Sequence, residues 1–368
     1  MVRPPFLAEV LGGPRAAVPD TIIISIDAMG GDHGPSVVVP AVAIALGRMP
    51  GLKLRFLLFG DEAKLDDELA RCPAAKAVSE VRPTTLVIGM EDKPAQALRR
   101  GKGSSLWNAV EAVKTSEAHA AVSAGNTGAL MAISKLILRM VAKELDRPAL
   151  VASWPTLRGA STVLDVGANV SSDATQLVEF AIMGQAFHRA VHGVAKPTVG
   201  LLNVGSEEQK GNEEVREAHR LMRDGGLPID YHGFVEGDDI AKGTVDVVVT
   251  DGFSGNIALK TAEGVARFVR KLLREAFTST LRSKLAALVA GPALRKMMDR
   301  LDPANLNGGP LLGLNGIVVK SHGGADARGY ANALVVAANL AQSDYSTEIN
   351  QNMLRLAEVM GREMEGRA

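Results

Sequence analysis

Five stretches of the chain put acids, amides or a lysine into glycine-rich turns, where backbone and side chain could act on a ligand together. The first is Ile26–Pro35, IDAMGGDHGP, with Asp27, Asp32 and His33 among Gly30, Gly31 and Gly34. The second is Ser123-Ala124-Gly125-Asn126-Thr127-Gly128, and the third holds Asp165, Gly167 and Asn169. The fourth carries Ser206, Glu207, Glu208, Lys210, Gly211 and Asn212, and the fifth carries Asp251, Gly252, Ser254, Gly255 and Asn256. Turns of this kind aim N–H groups past the end of a strand and favour an anion there. One such turn is weak support, because the G-x-G-x-x-G spacing is missing and any single aspartate reads equally well as a helix cap. Five are harder to dismiss, since strand–helix packing does not call for Asn126, Asn169 and Asn256 at matching places. The reading expects the turns to converge on one site.

Other chemistries lack their residues. There is no G-x-S-x-G elbow, no H-E-x-x-H and no Walker lysine. The single cysteine, Cys72, precedes Pro73 in what reads as an exposed connection, with no histidine nearby in sequence. Its solitude excludes a disulfide within the chain and fits a reducing cytoplasm. The histidines are scattered. His188 and His192 have i,i+4 spacing but sit at a helix end by Arg189 and Lys196, so a surface position is expected and no metal site. Lys210, taken alone, reads as part of a solvated charged turn.

The turns need strands before them and helices after them. Val37–Leu46, Asp61–Arg71 and Ser104–Glu117 have helical length or spacing; Leu54–Gly60, Ala120–Ser123, Leu164–Val166 and Val245–Val249 read as strands. Ser171, Ser172 and Asp173 are candidate N-caps. A short strand is expected at Val87-Ile88-Gly89, and Glu91–Arg100 is read as a lid or loop. Strands that are apolar throughout are covered on both faces, as in parallel sheets, and the intervening helices make βαβ units. The expected fold is α/β, a doubly wound and mostly parallel sheet. It occupies residues 21–345 as one unit, after a loose extension over 1–20 and before a helical tail over 346–368.

Length and composition agree. The chain has 368 residues, 46% hydrophobic and 22% charged, enough for a large core. Lys+Arg and Asp+Glu both number 41, so no overall field favours nucleic acid. No apolar run reaches the roughly 18 residues of a membrane span. Thr278–Met298 is different: Leu281, Leu285, Leu288 and Val289 share a helical face, and Arg282, Lys284, Arg295 and Lys296 are the charges in that span. Gly291-Pro292 is expected to interrupt the helix, giving a hairpin over about residues 265–300.

These blocks resemble one family. IDAMGGDHGP (Ile26–Pro35), SAGNTGAL (Ser123–Leu130), DVGAN (Asp165–Asn169), NVGSEEQKGNE (Asn203–Glu213), DGFSGNIALK (Asp251–Lys260) and GGPLLGLNG (Gly308–Gly316) look like the signature blocks of PlsX, the bacterial acyl-ACP:phosphate acyltransferases. The resemblance spans roughly Thr21 to Ala341. It implies a fold similar to phosphotransacetylase and isocitrate dehydrogenase, and a reaction in which acyl-ACP and inorganic phosphate give acyl phosphate and free ACP for phospholipid synthesis. It implies no cofactor and no metal, a homodimer, acyl carrier protein as partner, and a cytoplasmic enzyme held peripherally on the membrane. On this reading Lys210 holds phosphate and Asn256 donates to the thioester oxygen. Asp27, Gly30, Gly31, Asp32, His33, Gly34, Ser123, Gly125, Asn126, Thr127, Gly128, Asp165, Asn169, Glu208, Asp251 and Gly255 shape the phosphate and substrate subsites. Leu281, Leu285, Leu288 and Val289 meet an anionic lipid surface, although a buried helix pair in a dimer would use the same face. Two alternatives stand beside it: a dehydrogenase of related fold, which would want a nucleotide fingerprint, and a non-catalytic scaffold at the membrane.

Overall fold

Strand residues of this chain are apolar on alternate positions toward two different cores, and that builds a sheet with helices on both faces. Ile22, Ile24 and Ile26 enter one core while Ile23 enters another; Val319 and Val318 divide in the same way. The computed structural model describes residues 19–143, 145–300 and 307–366. The 1–20 extension therefore lies almost wholly outside the described residues.

The first half contains β1 (Ile22–Asp27), α1 (Pro35–Arg48), β2 (Leu54–Gly60), α2 (Glu62–Arg71), α3 (Pro73–Lys76), β3 (Ser79–Pro83), α4 (Pro94–Arg100), α5 (Ser105–Lys114), β4 (Ala120–Ser123) and α6 (Thr127–Leu138). The second contains β5 (Ala149–Thr156), β6 (Gly159–Leu164), α7 (Ala174–His192), β7 (Thr198–Leu202), α8 (Glu213–Asp224), β8 (Asp230–Val235), α9 (Gly237–Lys242), β9 (Val247–Val249), α10 (Gly252–Thr278) and α11 (Leu281–Arg300). The chain then returns through β10 (Gly309–Leu312), β11 (Ile317–Lys320), α12 (Ala327–Ala341) and α13 (Tyr345–Gly366).

Among the described residues, eleven strands form one sheet in the order β3-β2-β1-β4-β11-β10-β5-β6-β9-β7-β8. The pairs within β3-β2-β1-β4-β11 are parallel, as are those within β6-β9-β7-β8. Pairs β11–β10, β10–β5 and β5–β6 are antiparallel. The sheet is thus mostly parallel and α/β, as expected, but its two parallel sets run in opposite senses. Helix α12 packs on α1 and α7 and on β1, β4 and β11, bridging the two halves over the large core.

Several local readings change. The strand after α2 is β3, which pairs with β2 from Phe56↔Ser79 to Gly60↔Pro83. Val87-Ile88-Gly89 is not a strand; buried Ile88 packs into the core around α5 and α6. Glu91–Arg100 is largely helix, because Pro94 starts α4 with a fixed φ and no N–H to satisfy. Pro292 lies inside α11 without interrupting it. The carbonyl four residues back, on exposed Leu288, can turn to water instead. Cys72 is half-buried against the large core rather than exposed. His188 is not at the surface: α7 buries most of its length and His188 is 1% exposed, while His192, at the helix end, is half-buried.

Helices α10 and α11 pack on each other, and Leu281, Leu285, Leu288 and Val289 are 81%, 66%, 79% and 85% exposed. Helix α13 packs on α7, with Arg189 paired to Glu348. Among the described residues no helix is long and apolar enough to cross a membrane.

Candidate active site

Asp27 ends β1 opposite Ser123, the last residue of β4. The Ser123 hydroxyl donates to Asp27 Oδ2 at 2.7 Å and accepts from the Gly125 N–H at 2.9 Å. A Cβ on Gly30 would stand 2.4 Å from Asp27 Oδ2 and 2.7 Å from the Gly125 nitrogen, so only glycine lets the two turns touch. Asp27 is buried beneath both turns. Burial pushes its carboxyl up, while hydrogen bonds from Ser105, Ser123 and the Met29 and Gly30 backbone pull it down. The structure places Asp27 buried under the turns, where it supports them.

The turn after β11 adds the third wall. Lys320, paired with Ser123 in register, donates from Nζ to the Ala124 carbonyl at 3.2 Å and to its neighbour Ser321's carbonyl. The Asp32 N–H donates to the Gly323 carbonyl at 2.9 Å, and a Cβ on Gly31 would lie 2.8 Å from both Ala124 Cβ and that same carbonyl. Asp32 and His33 are exposed, and Gly34 precedes α1 with φ 54°. Burial lowers the Lys320 ammonium to about 8, and Asp27 and Asp32 oppose that shift. Asn126 caps α6 by accepting from Ala129 N–H, and its amide donates to the Met90 and Asp92 carbonyls at 2.6 and 2.9 Å. It pins the segment before α4, and Gly128 sits against Pro94, so Thr127 opens its helix beneath that segment.

A second cluster joins the turns after β6 and β9. Asp165 Oδ1 accepts from the N–H groups of Leu150, Gly167 and Ala168. Its Oδ2 accepts from the Asn169 N–H and side-chain amide at 2.6 and 2.9 Å, and that amide also donates to the Pro148 carbonyl. Burial raises the Asp165 carboxyl against these bonds. Through these bonds Asp165 and Asn169 brace the loop. Asp251 caps α10 through the Ser254 N–H at 2.8 Å and hydroxyl at 2.9 Å. Gly255 packs directly on the Asp165 carbonyl, where a Cβ would come within 1.9 Å. That packing leaves Asn256 exposed on the first turns of α10, beside Gly167.

Lys210 lies in the loop after β7, the parallel neighbour of β9, so its loop and the start of α10 leave the same edge of the sheet. The loop is held by its backbone: Lys210 N–H donates to the Glu207 carbonyl, and Asn203 Nδ2 donates to the Lys210 carbonyl at 3.2 Å. The ammonium is exposed. Glu208 turns away to pair with Arg223 at 2.8 Å, a partner on α8 rather than in the site.

The five turns do not share one sheet edge, because the sense of the strands reverses between the halves. The charge of Lys260, on α10, adds to burial in lowering the Lys320 ammonium and the His322 ring. Burial is the larger cause for His322, and Glu263 and Asp32 oppose it. Lys260 follows Asn256 by four residues, one helical turn further along the same face. Lys260, Lys320 and His322 were not among the candidates. The readable signal was a lysine ending an apolar strand directly before Ser321-His322-Gly323-Gly324.

A family model described as "fatty acid synthesis protein" matches residues 22–348. A phosphate acyltransferase of Caulobacter vibrioides is 68% identical over 91% of this chain and 92% of the relative. One of Phenylobacterium zucineum is 63% identical over 91% and 95%. Among solved structures, a phosphotransacetylase from Streptococcus pyogenes superposes with TM-score 0.59 at 17% identity, covering 88% of this chain and 95% of that one. A branched-chain phosphotransacylase from Enterococcus faecalis gives 0.53 at 14%, over 87% and 99%. At such identities the structural likeness speaks for the fold.

Proposed function

The chain belongs to the PlsX family of phosphate acyltransferases, and from that membership we propose that it moves the acyl group of acyl-ACP onto inorganic phosphate by direct attack. A hydrogen-phosphate oxygen adds to the thioester carbonyl carbon, the carbon–sulfur bond breaks, and the phosphate's proton ends on the departing carrier thiol. Phosphate is already anionic near neutral pH, and a thiolate whose conjugate acid has a pKa of about 8.5 leaves readily. The reaction therefore asks for positioning and for stabilisation of an oxyanion, which turn N–H groups, an ammonium and amides provide.

What carries the reading is similarity across nine-tenths of the chain to enzymes of that name. The geometry supports the assignment of roles. Asn256 is exposed at the start of α10 and donates to the thioester oxygen; Lys210, exposed on the neighbouring loop, offsets phosphate charge. The α10–α11 hairpin sets Arg267, Arg270, Lys271, Arg274 and Lys284 around one groove, suited to an acidic carrier or an anionic lipid surface. Its apolar residues serve a homodimer contact and peripheral attachment.

The test is release of carrier thiol from acyl-ACP as a function of phosphate concentration. Release that rises and saturates with phosphate is expected. Asn256→Ala is expected to slow turnover by roughly two orders of magnitude with the fold intact, and Lys210→Ala to weaken phosphate use most. Acyl-ACP left intact at every phosphate concentration overturns the function; an unchanged phosphate curve in Lys210→Ala removes that lysine from it.

A further inference from the structure

Asn203 is the residue at which sheet becomes loop. It follows Leu202, the end of β7, and its N–H donates to the Val235 carbonyl of β8 at 2.9 Å, so the sheet holds its backbone. Its side chain folds over the loop it opens. Oδ1 accepts the Val204 N–H at 2.9 Å, and Nδ2 donates to the Lys210 carbonyl, seven residues on, at 3.2 Å. One half-buried amide thus ties both ends of an exposed loop to the end of a strand.

Two glycines make room for this arrangement. Gly211 has φ 90°, and a Cβ on it would fall 2.4 Å from Asn203 Oδ1. Gly205 is buried, and a Cβ there would lie 3.2 Å from Lys210 Cγ, so the lysine stem rests on bare backbone. Past Lys210 the chain is fixed again: Arg216 donates to the Gly211 carbonyl, and Asn212 caps α8 through the Val215 N–H. A further tie on the loop, the Arg223–Glu208 ion pair, has members 47% and 78% exposed, and pairs of that kind contribute little. The Asn203 bond lands on Lys210 itself and sets where the root of its side chain stands. A lysine carries its charge on a flexible four-carbon stem, so a fixed root decides where the ammonium is found.

We propose that Asn203 is the positioning residue for Lys210: its amide fixes the root of the lysine, bare Gly205 sets the course of the stem, and together they hold the ammonium where it meets phosphate. The inference rests on the acyl-transfer reading for the part Lys210 plays, and deepens it by naming what places that charge. Asn203 acts through Lys210 and needs no contact with either substrate.

The test is a double-variant cycle in the thiol-release assay, with phosphate varied: wild type, Asn203→Ala, Lys210→Ala and the two together. Asn203→Ala is expected to raise the phosphate KM at least about fivefold while the acyl-ACP KM stays put, and in the Lys210→Ala background to add less than about twofold. General damage to the fold would act equally in both backgrounds, so an equal rise in the two overturns the positioning role. So does an unchanged phosphate KM in Asn203→Ala where Lys210→Ala raises it. An unchanged phosphate KM in Lys210→Ala takes away instead the reading of the lysine on which the proposal rests, so the two failures are told apart. Should Asn203→Ala fail to fold, Gly211→Ala keeps the amide and displaces it by contact. Its phosphate KM is expected to rise in the same way, and an unchanged value overturns the proposal.

Discussion

The Ser123 hydroxyl donates to Asp27 Oδ2 over 2.7 Å, from residues 96 positions apart, and so locks the end of β4 to the end of β1. The Ser123 hydroxyl oxygen in turn accepts the Gly125 N–H, which couples the orientation of the second turn to the buried carboxylate under the first. Ser123→Ala leaves both the carboxylate oxygen and the N–H short of a partner. We expect a loss of about 1–3 kcal/mol in denaturant unfolding, together with weaker phosphate binding. An unfolding midpoint equal to wild type would mean that the bond carries nothing.

Gly255 and Gly264 make a matched pair on α10. A Cβ at 255 would fall 1.9 Å from the Asp165 carbonyl oxygen, whereas at 264 it meets nothing within 4 Å. Gly255→Ala should push the start of α10 off the Asp165 loop and abolish turnover. Gly264→Ala should be neutral or stabilise by up to about 1 kcal/mol through helix propensity. Equal thermal stability and activity in the two variants would contradict the packing described for α10.

Buried His188, beside half-buried His192, sets an acid limit. His188 Nδ1 is bonded to Thr162 at 2.9 Å, its ring lies 4.5 Å from that of His192, and Asp246 Oδ1 is 3.9 Å from Nε2. Burial first, then His192, lower His188 to about 4, against the opposing charge of Asp246; burial lowers His192 too. A histidine with a depressed native pKa binds fewer protons folded than unfolded. Its contribution is therefore complete above the unfolded pKa near 6.5 and is lost as pH falls from there toward 4. The loss is up to roughly 3 kcal/mol for His188. His188→Gln should flatten unfolding free energy against pH across that window; an unchanged slope would exclude His188 as the cause.

The exposed apolar residues of the hairpin give a prediction about surfaces. Leu285→Glu and Leu288→Glu should abolish flotation of the protein with vesicles containing anionic lipid while leaving thiol release in solution intact. Flotation equal to wild type would leave that face to protein contact alone.

How much of this could be read beforehand depends on range. The strand–turn–helix units were legible because their signals are local: apolar runs, glycine turns and the Asp173 cap, whereas Asn126 and Asp251, read as site residues, also cap their helices. The reversal of the sheet was not, since β10 joins β11 to β5 across 160 and more residues with no local mark of strand sense. Burial of His188 and the engagement of Asp165 and Asn169 depended on the same distant packing. Glu208 looked like a site residue in its motif, yet its partner Arg223 lay on the following helix. Pro292 misled because a proline weakens a helix locally without having to end it, and α11 continues through it.

Direct attack by phosphate is the central claim, and a single-turnover experiment meets it most squarely. Enzyme in excess is mixed with acyl-ACP and phosphate, quenched at intervals, and weighed intact by mass spectrometry alongside the products. The account predicts acyl phosphate and free carrier thiol appearing together, with enzyme of unchanged mass at every time point. Enzyme heavier by the acyl group, formed and consumed at a rate matching turnover, would contradict it.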